Sequence, residues 1–333
     1  MGGWKRGSVL IVLGIILILL MIISINQGYT RLTLLDSLRI LAGGGSHQEN
    51  LVIFAFRLPR IIIAMLVGAG LALSGCIIQG ISRNALADPG LLGINAGAGL
   101  MVVLFVLLAP VKTELSLFAL PFLALTGAGV TAVLIYILAY KRREGLSPIR
   151  LILTGIAVQA GISAAMIVLT IVLDENQFYF VAVWLAGQIW GTSWQHVIVL
   201  LPWLLVLVPY VLYKARVLDV LNLGEAAAWG LGVAVEWERR VLLAVAVALA
   251  AACVAVSGGI SFVGLIVPHL ARRLVGPGHR LLLPCSALTG ALLVVAADML
   301  ARTIVQPAEI PAGLMFAIVG APYFLVLLAK SKR

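Results

Sequence analysis

The sequence offers few residues that could move a proton or an ion through an apolar barrier. Such chemistry places Asp, Glu or His deep within apolar segments, where ionisable groups are costly and usually functional. The nearest examples are His269 and Asp298. Two arginines follow His269 closely, which favours a place at the end of an apolar segment. Asp298 precedes Arg302 by four residues, a spacing that favours an ion pair along one helix face.

The sequence also lacks motifs for phosphate binding, thiol chemistry and metal binding. A phosphate-binding P-loop needs the motif G-x-x-x-x-G-K-[ST], and no Gly-Lys pair occurs in the chain. Cys76, Cys253 and Cys285 lie singly in apolar runs, so we expect small buried residues with no disulfide framework and no zinc site. No paired carboxylates face one another. We therefore expect no catalytic residue, no metal, no cofactor and no enzyme activity.

The composition indicates lipid as the solvent. Of the 333 residues 62% are hydrophobic and 11% are charged, and the mean hydropathy is +1.15, whereas soluble domains are about half apolar and a quarter charged. A soluble cytosolic enzyme is therefore nearly excluded. The net charge of +10 could indicate nucleic acid binding, or the basic excess that membrane proteins carry on their cytoplasmic side.

Ten apolar runs could cross a hydrocarbon core about 30 Å thick as helices. The first follows two basic residues like a signal peptide, but no A-x-A-like cleavage site follows it, so we predict an uncleaved span. The eighth is short and contains Pro268. The predicted spans are Ser8–Ile25, Ile61–Gln79, Ile94–Ala109, Leu117–Tyr140, Leu151–Leu173, Val197–Tyr213, Val241–Val256, Ile260–Leu274, Leu281–Ala301 and Pro311–Leu328.

The basic residues orient these spans. Ten spans place both termini on one side, together with seventeen of the 23 lysines and arginines; the other six are Arg31, Arg39, Arg57, Arg60, Lys112 and Arg302. By the positive-inside rule the termini are cytoplasmic, which makes a nucleic acid partner unnecessary. We expect one all-α domain over residues 1–333, packed as a compact bundle. Small residues at helical spacing predict close helix contacts: Gly68, Ala72, Gly75, Ser286 and Gly290.

One long polar interruption lies on the predicted cytoplasmic side, between Lys214 and Arg240. Three consecutive alanines favour helix and the glycines after them can end it, so we expect one or two short helices; a solvated loop is the alternative. Leu223, Trp229 and Leu231 argue against that loop, because water would surround them unless a partner covers them.

Several motifs, taken in chain order, are specific enough to compare with known families. They are Arg57-Leu-Pro-Arg60, Leu66-Val-Gly-Ala-Gly70, Asn84-Ala-Leu-Ala-Asp-Pro-Gly-Leu-Leu-Gly93, Gly258-Gly-Ile-Ser-Phe-Val-Gly-Leu-Ile-Val-Pro-His-Leu-Ala-Arg272, Ala297-Asp-Met-Leu-Ala-Arg302, Glu309-Ile-Pro311 and Gly320-Ala-Pro322. Together they resemble the FecCD/BtuC-type permeases of ABC importers for iron-siderophores and vitamin B12. The resemblance covers essentially the whole chain and departs at Ala85, where proline is common.

The resemblance implies a type II ABC importer permease in a bacterial inner or plasma membrane. Two permease chains, identical or homologous, would form the translocation path for an Fe(III)-siderophore. Two ATP-binding subunits would dock from the cytoplasm and hydrolyse ATP, and an external lipoprotein would deliver the chelate. Residues 215–238 would form the coupling segment that the ATPases contact, through Leu223, Gly224, Glu225, Ala226, Ala227, Trp229 and Gly232.

The resemblance also assigns residues on the outside. Arg57, Arg60 and Arg302 would receive glutamates of the binding protein, since a guanidinium fork fits a carboxylate; alternatively, Arg57 and Arg60 anchor a helix end and Arg302 pairs with Asp298. The segment Trp184–Trp194 resembles the siderophore branch, although its three tryptophans could form an interfacial belt.

Two alternative functions stay open. The chain could be a vitamin B12 or haem permease of the same family, or it could be an ion-coupled secondary transporter.

Overall fold

The computed structural model describes residues 3–27, 33–108, 114–141, 145–146, 148–189, 191–305 and 309–331. Helices dominate these residues, with one two-pair antiparallel ladder, Tyr140–Lys141 against Gly145–Leu146. A π-helical segment, Leu51–Arg57, leads directly into α4, and a 3₁₀ turn spans Pro89–Leu92. The α-helices are α1 Gly3–Asn26, α2 Leu34–Leu41, α3 His47–Asn50, α4 Leu58–Ser82, α5 Ile94–Leu108, α6 Glu114–Ala139, α7 Pro148–Thr170, α8 Glu175–Leu185, α9 Trp194–Tyr213, α10 Ala215–Asn222, α11 Glu225–Gly230, α12 Val235–Ser257, α13 Val263–Val275, α14 His279–Thr303 and α15 Ala312–Ser331.

Ten of these helices follow the ten predicted spans in order. Seven of them, α1, α4, α6, α7, α9, α12 and α14, are long and apolar enough to cross a membrane, whereas α5 and the stretch Ala312–Val326 of α15 are shorter apolar segments. The tenth, α13, has 13 residues and occupies the short run that contains Pro268. The all-α membrane fold is therefore confirmed. Arg31, Lys112 and Trp190 lie outside the described residues.

The centre of the bundle is built from α4, α12 and α14, the most buried of the long spans. A side-chain carbon added at Gly68 would overlap the backbone of Gly290, and one added at Gly75 would overlap the backbone of Gly264. The predicted close contacts at these small residues are thus present, and they let α4 pack directly on α13 and α14. All three cysteines are free and buried, as expected.

Three helices outside the apolar runs, α2, α3 and α8, were not predicted. Each begins at a side-chain cap; in α8 the Asp174 carboxylate accepts a hydrogen bond from the Gln177 backbone N–H, and the Gln177 side-chain oxygen accepts one from the Asp174 backbone N–H. Helices this short escape a search for apolar runs of membrane length. In the tryptophan segment between α8 and α9, Trp184 is buried and Trp194 donates a hydrogen bond of 2.7 Å to the Phe54 carbonyl.

Candidate functional site

Two short helices, α10 and α11, interrupt the chain between spans α9 and α12. This agrees with the prediction of one or two helices there. One face of α10 is buried against α4 and α14 through Ala215, Leu218 and Leu221. Gly224 separates α10 from α11 with a φ of +109°, and Gly232 follows α11 with a φ of +80°. Residues with side chains rarely adopt such angles, so both turns require glycine.

Three large apolar side chains of this segment face away from the bundle. Leu223 and Trp229 are each 65% exposed and Leu231 is 62% exposed; we call these three residues the α10–α11 patch. Exposed apolar surface rimmed by polar residues is typical of sites that contact another protein or the membrane. The remaining predicted coupling residues also reach the surface: Glu225, Ala226, Ala227 and Gly232 are exposed, and Gly224 is half-buried.

A salt bridge fastens α11 to α12. The buried guanidinium of Arg239 donates a hydrogen bond of 2.7 Å to the carboxylate of Glu225, which is itself largely exposed. This hydrogen bond lowers the pKa of Glu225, and the positive charges of Arg239 and Arg83 act in the same direction. Glu225, which the resemblance assigns to the ATPase contact, therefore also forms a salt bridge within the chain.

Further polar contacts join α10 to the buried spans. Asp219 accepts a hydrogen bond of 2.9 Å from the backbone N–H of His279, at the start of α14, and lies 2.7 Å from Nδ1 of the same residue. The ammonium of Lys214 lies 2.6 Å from the carboxylate of Glu238 on α12. Short polar contacts thus join the segment from Lys214 to α11 with α12 and α14.

At the end of α4 a buried amide joins α4 to α13. The Gln79 side chain donates to the carbonyls of Gly264 and Leu265, at 3.2 and 3.1 Å, and accepts a hydrogen bond of 2.6 Å from Arg272. Every polar atom of this amide is therefore used within the bundle. The contact fixes the position of α13 against α4 where the chain enters the loop that follows Ser82.

That loop packs on α13. The Asp88 carboxylate accepts a hydrogen bond of 2.8 Å from the backbone of Gly90, and a side chain at Gly264 would meet both Asp88 and Pro89. Burial raises the pKa of Asp88 to about 6. The loop, α4 and α13 thus form one packed joint.

At the opposite ends of α4 and α14, Arg60 holds two carboxylates. Its guanidinium lies 2.8 Å from Asp298 of α14 and 2.8 Å from Glu309, which precedes α15. Arg60 and Asp298 are buried, whereas Glu309 is partly exposed. This contact was not predicted, because residues so far apart in the chain carry no local signal of proximity.

Two more arginines complete this outer cluster, which we define as Arg57, Arg60, Asp298, Arg302 and Glu309. Arg302 lies 3.4 Å from Asp298, so the ion pair predicted from the four-residue spacing is confirmed. Arg302 also donates a hydrogen bond of 2.6 Å to the Ser24 hydroxyl, and Arg57 donates to the Ile25 carbonyl, both in α1. The three arginines hold α1, α4 and α14 together; docking of a binding protein on them stays a prediction.

The described residues hold no cluster of three or more His, Cys, Asp or Glu that could bind a metal ion. His269, one of the two ionisable residues noted within an apolar run, packs edge-on against the Tyr323 ring, with 6.0 Å between the ring centroids. This contact joins α13 to α15. The geometry of His269 is therefore that of a helix contact.

Comparison with known proteins supports the same architecture. Residues 16–330 match the FecCD transport family. The chain is 48% identical to the Iron(3+)-hydroxamate import system permease protein FhuG of Bacillus subtilis, over 98% of this chain and 99% of that protein. It is 43% identical to the Fe(3+)-citrate import system permease protein YfmE of the same bacterium, over 97% and 95%.

A solved structure resembles the whole chain. It is described as an inward-facing conformation of a metal-chelate type ABC transporter, and it superposes with a TM-score of 0.84 at 32% identity. The match covers 97% of this chain and 99% of that one. The helix order and packing described above are therefore shared with that transporter.

Proposed function

This chain belongs to the FecCD transport family, and from that premise we propose that it carries a ferric siderophore inward as the membrane-spanning subunit of an ABC importer. A transport permease of this family performs no covalent chemistry of its own. The free energy for uphill transport then comes from ATP hydrolysis on separate subunits. The names of its relatives, permeases for iron(3+)-hydroxamate and Fe(3+)-citrate, support a ferric chelate as the cargo.

The α10–α11 patch is the observation that carries this proposal. An isolated chain leaves Leu223, Trp229 and Leu231 in water, which is unfavourable by roughly 25 cal/mol for each Å² of apolar surface that a partner could cover. The patch stands on helices tied by short polar contacts to α12 and α14. A partner that binds there and changes shape can move the buried spans directly. Two ATP-binding subunits, one for each permease chain, fit that role.

The remaining partners follow from the same architecture. The end of the bundle with α10 and α11 is cytoplasmic in our proposal, as are both termini, and the outer cluster faces the binding protein. A second permease chain, identical or homologous, would complete the path beside α4 and α7. In support, α7 is long and apolar yet has only 11% of its most apolar window buried, so most of its surface is available to lipid or to a second chain.

Docking of the external binding protein at the outer cluster is part of the proposal. A glutamate of that protein would have to share Arg60 with Glu309, whose side chain is 34% exposed and therefore reachable. Arg57 and Arg302 belong to the same cluster, and their positive charges would add to the attraction for that glutamate. Because these arginines are already hydrogen-bonded within the chain, docking would rearrange an existing network rather than satisfy unused donors.

Reconstitution of the chain in proteoliposomes, with and without its ATPase, tests the proposal. Uptake of a ferric siderophore should require the ATPase, ATP and the binding protein, and it should persist when an ionophore collapses ion gradients. Uptake by the chain alone that an ionophore abolishes would instead establish an ion-coupled secondary transporter.

The choice of cargo needs its own experiment. Unlabelled ferric hydroxamates, ferric citrate, haem and cobalamin are added in turn to compete with uptake of a radiolabelled ferric hydroxamate. A ferric siderophore should compete at the lowest concentration. Stronger competition by haem or cobalamin would move the assignment to the haem or vitamin B12 importers of the family.

A further inference from the structure

We propose that a groove between α6, α9 and α12 binds one acyl chain of an anionic phospholipid, whose phosphate is held by Arg240. The inference rests on the membrane placement of the proposed function and not on its cargo or its ATPase. None of the described residues that line the groove belongs to the α10–α11 patch, the outer cluster or α7.

The groove has the size and lining of a site for a hydrocarbon chain. Its volume is about 460 Å³, within the range of about 300–1,000 Å³ typical of small-molecule sites. Leu125 and Gly129 of α6, Trp203 of α9 and Ala251 of α12 contribute to its walls, and Arg240 is the one charged side chain among the described residues that line it. A polar metabolite would lose its hydrogen bonds to water there without replacement.

The length of the groove matches one leaflet of a bilayer. Eleven residue steps separate Arg240 from Ala251 along α12, which corresponds to ~16 Å at the helical rise of ~1.5 Å per residue. Half of a hydrocarbon core about 30 Å thick is about 15 Å. One lipid tail is the occupant that fits.

The end of the groove near α10 and α11 has the chemistry of a lipid headgroup site. The Arg240 guanidinium lies 6.0 Å from the centre of the Tyr140 ring, which stacks on Tyr136 with 5.7 Å between ring centroids. Tyrosines are enriched at the headgroup level of membranes. The carboxylate of Glu236 lies 3.8 Å from Arg240, and both side chains are at least 40% exposed, so this pair competes weakly with a phosphate.

An anionic lipid should therefore bind more tightly than a zwitterionic one with the same tails. The guanidinium presents a fork of donors that matches phosphate oxygens, and the net charge of phosphatidylglycerol is not cancelled by an ammonium as it is in phosphatidylcholine. Arg240 also follows Arg239, which holds Glu225 of α11. A lipid at Arg240 would thus lie directly beside the contact that joins α11 to α12.

Native mass spectrometry of the purified full chain tests the site, with phosphatidylglycerol and phosphatidylcholine of equal chain length titrated separately. Wild type should half-saturate with phosphatidylglycerol at about tenfold lower concentration than with phosphatidylcholine, as expected for charge-assisted bonds. Arg240→Gln should abolish this preference, and Arg240→Lys should restore part of it. A diazirine-bearing phosphatidylglycerol should label peptides of α6 and α12.

A filled groove gives the second arm of the test. A side chain at Gly129 meets open space, so Gly129→Leu should occupy the groove without a clash, and it should weaken binding of both lipids. Gly14→Leu in α1, where a side chain also meets open space, is the matched control and should bind both lipids as wild type does.

Three results would overturn the inference. They are equal binding of the two lipids to wild type, unchanged lipid binding by Gly129→Leu, and loss of a chain dimer in Gly129→Leu while lipid binding persists, which would assign the groove to a second copy. Since the assay needs neither cargo nor ATP, a transport experiment that contradicts the proposed function leaves this test valid.

Discussion

Arg60 of α4 donates two hydrogen bonds to the carboxylate of Asp298 on α14, although 238 positions separate them in the chain, and both side chains are buried. This pair joins α4 to α14 at one end of these two central spans. At the other end of α14, His279 pairs with Asp219 of α10, and between the two ends Gly68 of α4 lies against the backbone of Gly290 of α14. A change in the angle between α4 and α14 must therefore shift the contact between Arg60 and Asp298 or the contact between the two glycines.

Removal of the Asp298 carboxylate should destabilise the chain strongly. Asp298→Leu leaves the buried guanidinium of Arg60 with only Glu309 as its carboxylate, and breaking a buried pair by removing one partner costs about 3–5 kcal/mol. Thermal unfolding of the detergent-purified chain measures the loss. The double variant with Arg60→Met should lose less than the sum of the two single variants, because it leaves neither charge buried alone.

The exposed pair Arg39–Glu49 provides the control for this experiment. Glu49→Gln should leave the unfolding temperature nearly unchanged, because exposed pairs contribute little to stability. If Asp298→Leu changed stability as little as Glu49→Gln does, the outer cluster would not be holding the spans together.

Trp229→Ala should weaken binding of the ATP-binding subunit by roughly 30-fold, the effect of losing about 2 kcal/mol at an interface hot spot. The thermal stability of the isolated chain should not change, because Trp229 is mostly exposed. Affinity capture of the ATPase in detergent measures the effect. Tyr179→Ala, an exposed aromatic residue on α8, is the control; equal recovery of the complex by both variants would remove Trp229 from the coupling contact.

Glu309→Gln separates docking from anchoring at the outer cluster. If a glutamate of the binding protein competes with Glu309 for Arg60, the variant should bind that protein several-fold more tightly. The effect should be clearest at low salt, because at 0.1 M ionic strength charges more than ~10 Å apart are largely screened.

Charge reversal at Arg57 and Arg60 should reduce stimulation of the ATPase by the loaded binding protein. Unchanged stimulation in correctly folded protein would leave the arginines as anchors only, and Arg39→Glu controls for general charge.

Gly75→Ala should destabilise the bundle by about 1–3 kcal/mol, the usual cost of overpacking. Its new methyl group would overlap the backbone of Gly264 and force α4 away from α13. Gly14→Ala is the matched control, because a side chain there meets open space. Size-exclusion profiles and unfolding temperatures of the two variants compare them; equal unfolding temperatures would contradict the close approach.

Asp88→Asn should stabilise the chain at neutral pH. Burial raises the pKa of Asp88 from the ordinary 3.8 to about 6, so the folded state binds the proton more tightly than the unfolded state. The stability gained from this proton is present below pH 3.8 and is lost as the pH rises to about 6. The unfolding temperature of Asp88→Asn should exceed that of wild type at pH 7.5, and the two should converge near pH 4. A constant difference across this range would contradict the raised pKa.

Local patterns were sufficient for several features of the site. Asp298 and Arg302 were paired from their four-residue spacing because a helix places such residues on one face. Leu223, Trp229 and Leu231 were predicted to need a covering partner because they lie in a polar stretch of sequence, and all three are exposed in the structure. The contacts of Arg60 with Asp298 and of Arg239 with Glu225 were missed, since which ionisable groups meet depends on how separate helices pack.

The sequence by itself determined that this protein is a bundle of membrane-crossing helices and where most of them begin and end, because lipid solvation acts on each apolar segment separately and leaves a signal in every one. Only the tertiary structure decided that Arg60 binds Asp298, that α10 and α11 are fastened to α12 and α14, and that α6, α9 and α12 leave a groove ending at Arg240. These contacts join segments that are distant in the chain. Close packing and the need to pair buried charges fix them, and no single stretch of sequence shows which segments will meet.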